Sequence, residues 1–269
     1  MIPDYHLHTE FSGDCETAVK DLINKAISLE MKEICITDHN DLDFPELPDE
    51  VDFNLDMERY IPYLKIVREE FKDKIDIKIG VEQGVMPSTC EKLSSFSDKY
   101  KDLDFIICSS HFVDGMDPYY PEFFEKYSEK EGYEKYFETI LYNTEHFNDF
   151  NVYGHLDYIL RYGPTKARNF DPKEYLVIFE QIFKNLINKG KGIEVNTGSL
   201  TRGLDFAHPN DELLKLYKEL GGEIITFGSD SHKLDTLGYN FIEESMRLKK
   251  LGFKYYCTFK NMKPIFHNL

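Results

Sequence analysis

Residues 17–39 read TAVKDLINKAISLEMKEICITDH. Ala18, Leu22, Ile23, Ala26 and Ile27 recur at the spacing that puts them on one face of a helix. The stretch then changes to Glu33-Ile34-Cys35-Ile36, a short apolar run that ends on Thr37-Asp38-His39. A helix followed by a near-continuous apolar strand with a polar end is one unit of a parallel sheet. The unit recurs along the chain. Candidate strands lie at 3–8, 33–39, 76–83, 105–111, 151–156, 191–197 and 223–230. Helical patterns fall at 17–30, 54–72, 89–100, 132–147, 173–189, 209–220 and 238–251, the fifth with Leu176, Phe179, Ile182, Phe183, Leu186 and Ile187 on one face. Asp171-Pro172 opens one helix, and Gly190 and Gly221-Gly222 close two others. These repeats predict an α/β fold in one domain spanning 1–269: a closed or nearly closed (β/α)7 barrel, with an open doubly wound sheet as the alternative. Two connections, Asn40 to Phe53 and Val113 to Glu131, are long, acidic and aromatic, and both follow strand C-termini, where parallel barrels keep their active sites.

The net charge of −17 argues against a nucleic-acid partner, which a basic stripe would bind. It also works against long-range attraction of an anionic substrate, so phosphate chemistry here calls for a local positive centre such as metal ions. No apolar run approaches the ~20 residues of a membrane-spanning helix, and Met1-Ile2-Pro3-Asp4 does not begin a signal peptide, so a cytoplasmic location without membrane contact is expected. The five cysteines include no C-x-x-C pair, which points away from disulfides and thiolate zinc sites; Cys35 and Cys108 lie within apolar runs and read as core.

The strand ends carry the functional signal. They read His6-Leu7-His8, Thr37-Asp38-His39, Glu82-Gln83, Ser109-Ser110-His111, Gly154-His155-Leu156-Asp157, Glu194-Val195-Asn196 and Gly228-Ser229-Asp230-Ser231-His232. His6 and His8, two apart on a strand, share a face with Cα atoms about 7 Å apart, so both imidazoles can reach one ion. Asp230 and His232 share that spacing, whereas Asp38 and His39 are adjacent and should face opposite ways. His146, His208 and His267 stand apart and read as ordinary hydrogen-bonded residues, so truncating His146 or His208 is expected to change turnover only a few-fold. Imidazoles and carboxylates gathered at one end of a sheet would leave buried charges unpaired without cations, which predicts a metal site.

The ordered set Asp4-Tyr5-His6-Leu7-His8-Thr9, Ile36-Thr37-Asp38-His39, Gly80-Val81-Glu82, Ser110-His111, Gly154-His155-Leu156-Asp157 and Gly228-Ser229-Asp230-Ser231-His232 resembles the polymerase-and-histidinol-phosphatase (PHP) family, and within it the members that hydrolyse L-histidinol phosphate. The resemblance implies a distorted (β/α)7 barrel with three divalent transition-metal ions, Zn, Mn or Fe. It implies that His6, His8, Glu82 and Asp230 hold the first ion, that Glu82 bridges to a second held by His111 and His155, and that Asp14, His39 and His232 hold the third. Many relatives place a histidine near Asp14, where the loop Ser12-Gly13-Asp14-Cys15 offers a carboxylate instead. The expected reaction is hydrolysis of a small phosphate monoester by hydroxide generated at the ions, with Glu82, Asp230 and His232 as catalytic groups. Arg161 and Arg202, beyond strands five and six, are placed to fork phosphate oxygens, with Asn196 beside them. Asp41, Asp43 and Phe44 are candidates to meet the amine and imidazole of histidinol. A nucleotide or oligonucleotide phosphoesterase of the same family is the alternative; the acidic chain and the lack of a basic aromatic strip count against long polymers.

Overall fold

The computed structural model describes residues 1–45 and 51–269. Its sheet is parallel: β1 (Glu33–Ile36) and β2 (His39–Asp41) both lie against β3 (Asp76–Gly84), followed by β4 (Phe105–Ser109), β5 (Val152–Tyr153), β6 (Gly192–Asn196) and β7 (Ile225–Gly228). Residues 4–8 close the ring. Tyr5 N donates to Phe227 O at 2.9 Å and His8 N to Ser231 O at 3.0 Å on one side, while Cys35 N donates to Asp4 O and Thr37 N to Leu7 O, both at 2.9 Å, on the other. Seven strand positions in a distorted barrel follow, and the open-sheet alternative falls.

The expected strand 33–39 is broken at Thr37-Asp38 into β1 and β2. At the break the Tyr60 hydroxyl stands between the strands, 3.1 Å from Ile36 O and 3.0 Å from Gly80 O, while the Asp38 carboxylate accepts from Thr9 N (2.6 Å), Thr9 Oγ1 (2.8 Å) and Ser12 Oγ (2.7 Å). Asp38 and His39 therefore diverge, as their adjacency predicts.

Along β3, Ile77, Ile79 and Val81 join the core beneath the helices, with Leu22, Ile23 and Ala26 of helix Val19–Ser28 and Leu64 of helix Met57–Phe71. Each large side chain so buried stabilises the fold by about 1.5–3 kcal/mol. The alternate residues face the barrel axis, where space is tight: a Cβ on Gly228 would lie 1.9 Å from Glu194 Oε1 and 2.5 Å from His6 Cβ. Only glycine lets those two side chains meet there.

Several elements differ from expectation. The helix at 89–100 is two short ones, Cys90–Leu93 and Phe96–Lys99, and that at 132–147 starts earlier, at Glu129, where Ser128 and Glu131 form a capping box. The Val113–Glu131 connection contains a helix, Pro121–Lys126. The C-terminal residues form an antiparallel hairpin, β8 (Tyr255–Lys260) and β9 (Lys263–Asn268), turning through Asn261 and Met262, both with positive φ. It covers the N-terminal ends of the strands, where Tyr5, Cys35, Phe105, Ile107, Val152, Cys257 and Phe259 pack together. Tyr5 Oη donates to Glu33 Oε1 (2.5 Å) and accepts from Phe259 N (2.9 Å). One end of the barrel is thus plugged, and the strand C-termini are left as the open end. No helix among the described residues is long and apolar enough to cross a membrane.

Candidate metal centre and active site

Eight of the nine expected ligands lie at or just beyond strand C-termini, and with Asp14 from the loop after residues 4–8 they gather into one cluster centred on Glu82. This carboxylate is fully buried on the inward face of β3. Its Oε2 lies 2.9 Å from His39 Nδ1, 3.2 Å from His6 Nε2 and 3.5 Å from His8 Nε2; its Oε1 lies 2.9 Å from His155 Nε2 and 3.2 Å from His111 Nε2. Asp230 Oδ1 adds a second carboxylate, 3.6 Å from His8 Nε2 and 4.0 Å from His6 Nε2. Asp14 sits at the outer edge, its Oδ2 3.1 Å from His232 Nε2 and 3.8 Å from His39 Nε2. Three sets have ligand atoms close enough to share an ion: His6, His8 and Glu82; His39, Glu82 and His111; and His8, His39 and His232. His39 and His8 thus stand between groups that the sequence assigned separately.

These residues fit metal ions on two grounds. His6 Nε2, His8 Nε2, His39 Nδ1 and Glu82 Oε2 are buried and have no hydrogen-bond partner, an expensive arrangement unless a cation takes their lone pairs. The titration tendencies follow the contacts within the cluster. Burial opposes charge on His6, yet Glu194 and Glu82 hold its pKa well above the ordinary histidine value; burial, with His232 and His39 nearby, holds His8 well below it. Burial likewise opposes charge on Glu82, but His6, His111 and His39 hold it well below the usual carboxylate range. A set of nitrogen and oxygen donors without thiolate suits Zn, Mn or Fe.

The outer nitrogen of most imidazoles is held in place. His6 Nδ1 is 2.6 Å from Glu194 Oε1, His111 Nδ1 is 2.8 Å from Asp41 Oδ1, and His8 Nδ1 is 3.1 Å from Ser12 Oγ, itself bonded to Asp38. Such contacts settle which nitrogen offers its lone pair inward. Asp41 therefore supports His111 while also lining the cavity. Asp43 turns outward to an ion pair with Lys92, and Phe44 packs on Phe53 and Phe112, so neither is among the cavity-lining residues. Part of the expected Asn40–Phe53 loop, residues 46–50, lies outside the described residues.

Asp230 joins the cluster to the arginines. Its left-handed backbone (φ +54°), which aspartate tolerates, follows β7. Oδ1 faces the histidines, and Oδ2 accepts from Arg161 Nη1 at 2.7 Å and lies 3.4 Å from Arg202 Nη1. Burial would raise its pKa, but Arg202, Arg161 and His6 hold it well below the usual range. Arg161 is 1% exposed. It also donates through Nη2 to Asn196 Oδ1 (2.7 Å) and through Nε to His208 Nε2 (3.0 Å). Asn196 stands a step behind the cavity: it is fully buried, receives Arg161 and Gly198 N on Oδ1, and donates to Glu194 Oε2. His208 is a hydrogen-bonded core residue, as its isolation in the sequence suggested, but its partner is a cavity arginine. His146 is exposed and His267 lies on β9.

Above the cluster is a cavity of about 340 Å3. It is lined by His39, His111, His155, Asp230 and His232, by both arginines, with Tyr158 and Tyr162 flanking Arg161 on one turn, and by Phe53, Phe112, Asp117 and Tyr119. Burial raises the Asp117 carboxyl to about 6. The sequence offered a signal for Asp117 and Tyr119, the acidic and aromatic connection after β4, but not which of its residues turn inward.

The family model for the PHP domain matches residues 4–198. A histidinol-phosphatase of Lactococcus lactis is 35% identical over 97% of this chain and 95% of its own. The histidinol-phosphatase of Bacillus subtilis is 23% identical, covering 88% and 96%. The crystal structure of the Lactococcus lactis histidinol phosphate phosphatase, complexed with zinc, L-histidinol and phosphate, superposes with a TM-score of 0.86 over 98% of both chains at 34% identity. With a matching domain model, full-length relatives and the same distorted barrel, this chain belongs to the PHP family.

Proposed function

We propose that the chain hydrolyses L-histidinol phosphate to L-histidinol and phosphate, a cytoplasmic step of histidine biosynthesis. The observation that carries this is the sharing of Asp230: one oxygen faces the metal-ligand cluster and the other faces two arginines. That sharing would hold metal and phosphate contacts side by side in one cavity. The full-length relatives named for this activity support the same substrate.

His6, His8, Glu82 and Asp230 would hold one ion; Glu82, His111 and His155 a second; Asp14, His39 and His232 a third. Divalent ions in such a site make hydroxide available at neutral pH and offset charge on phosphoryl oxygens. The protein's own groups do the rest. Arg202, with its side chain one-third exposed, reaches into the cavity for a phosphate oxygen, and Arg161 presents the donors not used internally. Asp230 or His232 would move a proton to or from the attacking water or the departing alkoxide. Asp117, ionised at neutral pH among tyrosines, suits the ammonium or imidazole of the leaving group.

A panel of esters tests this: histidinol phosphate, nucleoside monophosphates, phenyl phosphate and a dinucleotide. A kcat/KM for histidinol phosphate at least ~100-fold above the others is expected, since two lost polar contacts are worth about that much. Equal or faster turnover of a nucleotide would overturn the substrate assignment.

A further inference from the structure

Arg161 is more enclosed than a phosphate-binding arginine needs to be, and its enclosure extends further from the cavity. Its Nε–H points to His208 Nε2 at 3.0 Å, so that nitrogen must carry a lone pair. The imidazole proton is then on Nδ1, which lies 2.6 Å from Asp157 Oδ1. The other Asp157 oxygen accepts from Asn210 N (3.1 Å) and Asn210 Nδ2 (3.3 Å). Asp157 and His208 are fully buried, and neither lines the cavity. The backbone of His208 is tied to the barrel as well: it exchanges both hydrogen bonds with Asn196 at the end of β6. Burial holds the His208 pKa below the ordinary value, in keeping with a neutral ring.

We propose that His208 and Asp157 are positioning residues that lock the Arg161 guanidinium in the plane in which its remaining N–H groups meet the phosphate. Three contacts in different directions set that plane: His208 at Nε, Asp230 at Nη1 and Asn196 at Nη2. Without the imidazole acceptor, Nε–H is left buried and unpaired, and the guanidinium is free to rotate about its bonds to Asp230 and Asn196. The inference rests on the phosphatase assignment for its turnover readout but not for its binding readout.

Two variants and a coupling test decide it. His208→Ala removes the acceptor. Asp157→Asn keeps the packing but not the polarity: Asn210 supplies two donors on one side, so the new amide NH2 turns to His208 Nδ1 and drives the ring into the tautomer that opposes Arg161 Nε–H. Each variant should lower kcat/KM for histidinol phosphate by ~10-fold or more, in place of the few-fold change expected for His208 from its isolation in the sequence, and weaken inorganic phosphate binding to the metal-loaded protein, read by calorimetry, by a similar factor. Metal content per chain should stay at the wild-type level. In an Arg161→Ala background, His208→Ala should add less than ~2-fold, because its effect passes through the arginine. Should both variants bind phosphate as the wild type does, or should His208→Ala lose its full factor with Arg161 already gone, the positioning role is wrong. A protein that binds phosphate with this coupling yet hydrolyses no histidinol phosphate would overturn the proposed function and leave this inference standing.

Discussion

Replacing Glu194 by glutamine changes one oxygen of a buried carboxylate to an amide nitrogen and leaves the shape of the barrel interior alone. The surroundings dictate which way the amide turns. Oε2 of Glu194 accepts from His155 N at 2.9 Å and Asn196 Nδ2 at 3.0 Å, so the carbonyl oxygen of the glutamine must remain there. Asn196 cannot flip to accommodate it, because its own Oδ1 receives Arg161 and Gly198 N. The NH2 then faces His6 Nδ1, which is 2.6 Å from Glu194 Oε1. Two donors cannot meet, so His6 moves its proton to Nε2 and loses the lone pair that faces Glu82 and the proposed first ion. Partners of this kind are worth about 10–100-fold in metal affinity, or roughly 1.4–2.7 kcal/mol. Competition against a chelator of known affinity reads that loss directly, and kcat at limiting metal should fall in parallel. Wild-type metal affinity in Glu194→Gln would refute the tautomer argument and, with it, His6 as a ligand through Nε2.

Three more outcomes follow from the same geometry. Glu82→Gln and Asp230→Asn should each lower kcat by orders of magnitude under saturating substrate, whereas His146→Ala, exposed on a helix end, should stay within about 3-fold; equal damage from His146→Ala would mean the cluster is not the active site. Arg202→Ala should lower kcat/KM by ~10- to 150-fold, the worth of one charge-assisted bond, with metal content unchanged; unaltered steady-state kinetics would remove Arg202 from phosphate binding. Asp117→Asn should raise KM for histidinol phosphate by ~10-fold but not for phenyl phosphate, which has no cationic group; an equal rise for both would place Asp117 in general packing.

The barrel was legible because its signal repeats: each strand alternates with a helix whose apolar face is plain, as in 17–39. The ligands were legible for a related reason. Residues that end parallel strands must gather at one rim, so His6, His39, Glu82, His111, His155 and Asp230 meet without any knowledge of side-chain geometry. What the sequence hid depends on which long-range neighbour a side chain meets. Asp41 read only as a candidate for the substrate amine, yet its carboxylate also bonds His111, and Asn196 read as a cavity residue, yet it is fully enclosed. His208 carried no periodic or motif signal; its importance lies in Arg161, 47 residues away. The C-terminal hairpin lies outside the strand–helix repeat on which the fold was read, although Asn261 before Met262 is the kind of residue that accepts the positive φ of a tight turn.

The dependence of catalysis on the metal cluster is read from turnover of L-histidinol phosphate by the purified protein, measured beside its metal content before and after prolonged chelation. Bound transition metal is expected in the untreated protein, with metal and activity falling together. Activity should return when Zn, Mn or Fe is restored. Hydrolysis that continued undiminished with metal reduced to trace would contradict that dependence.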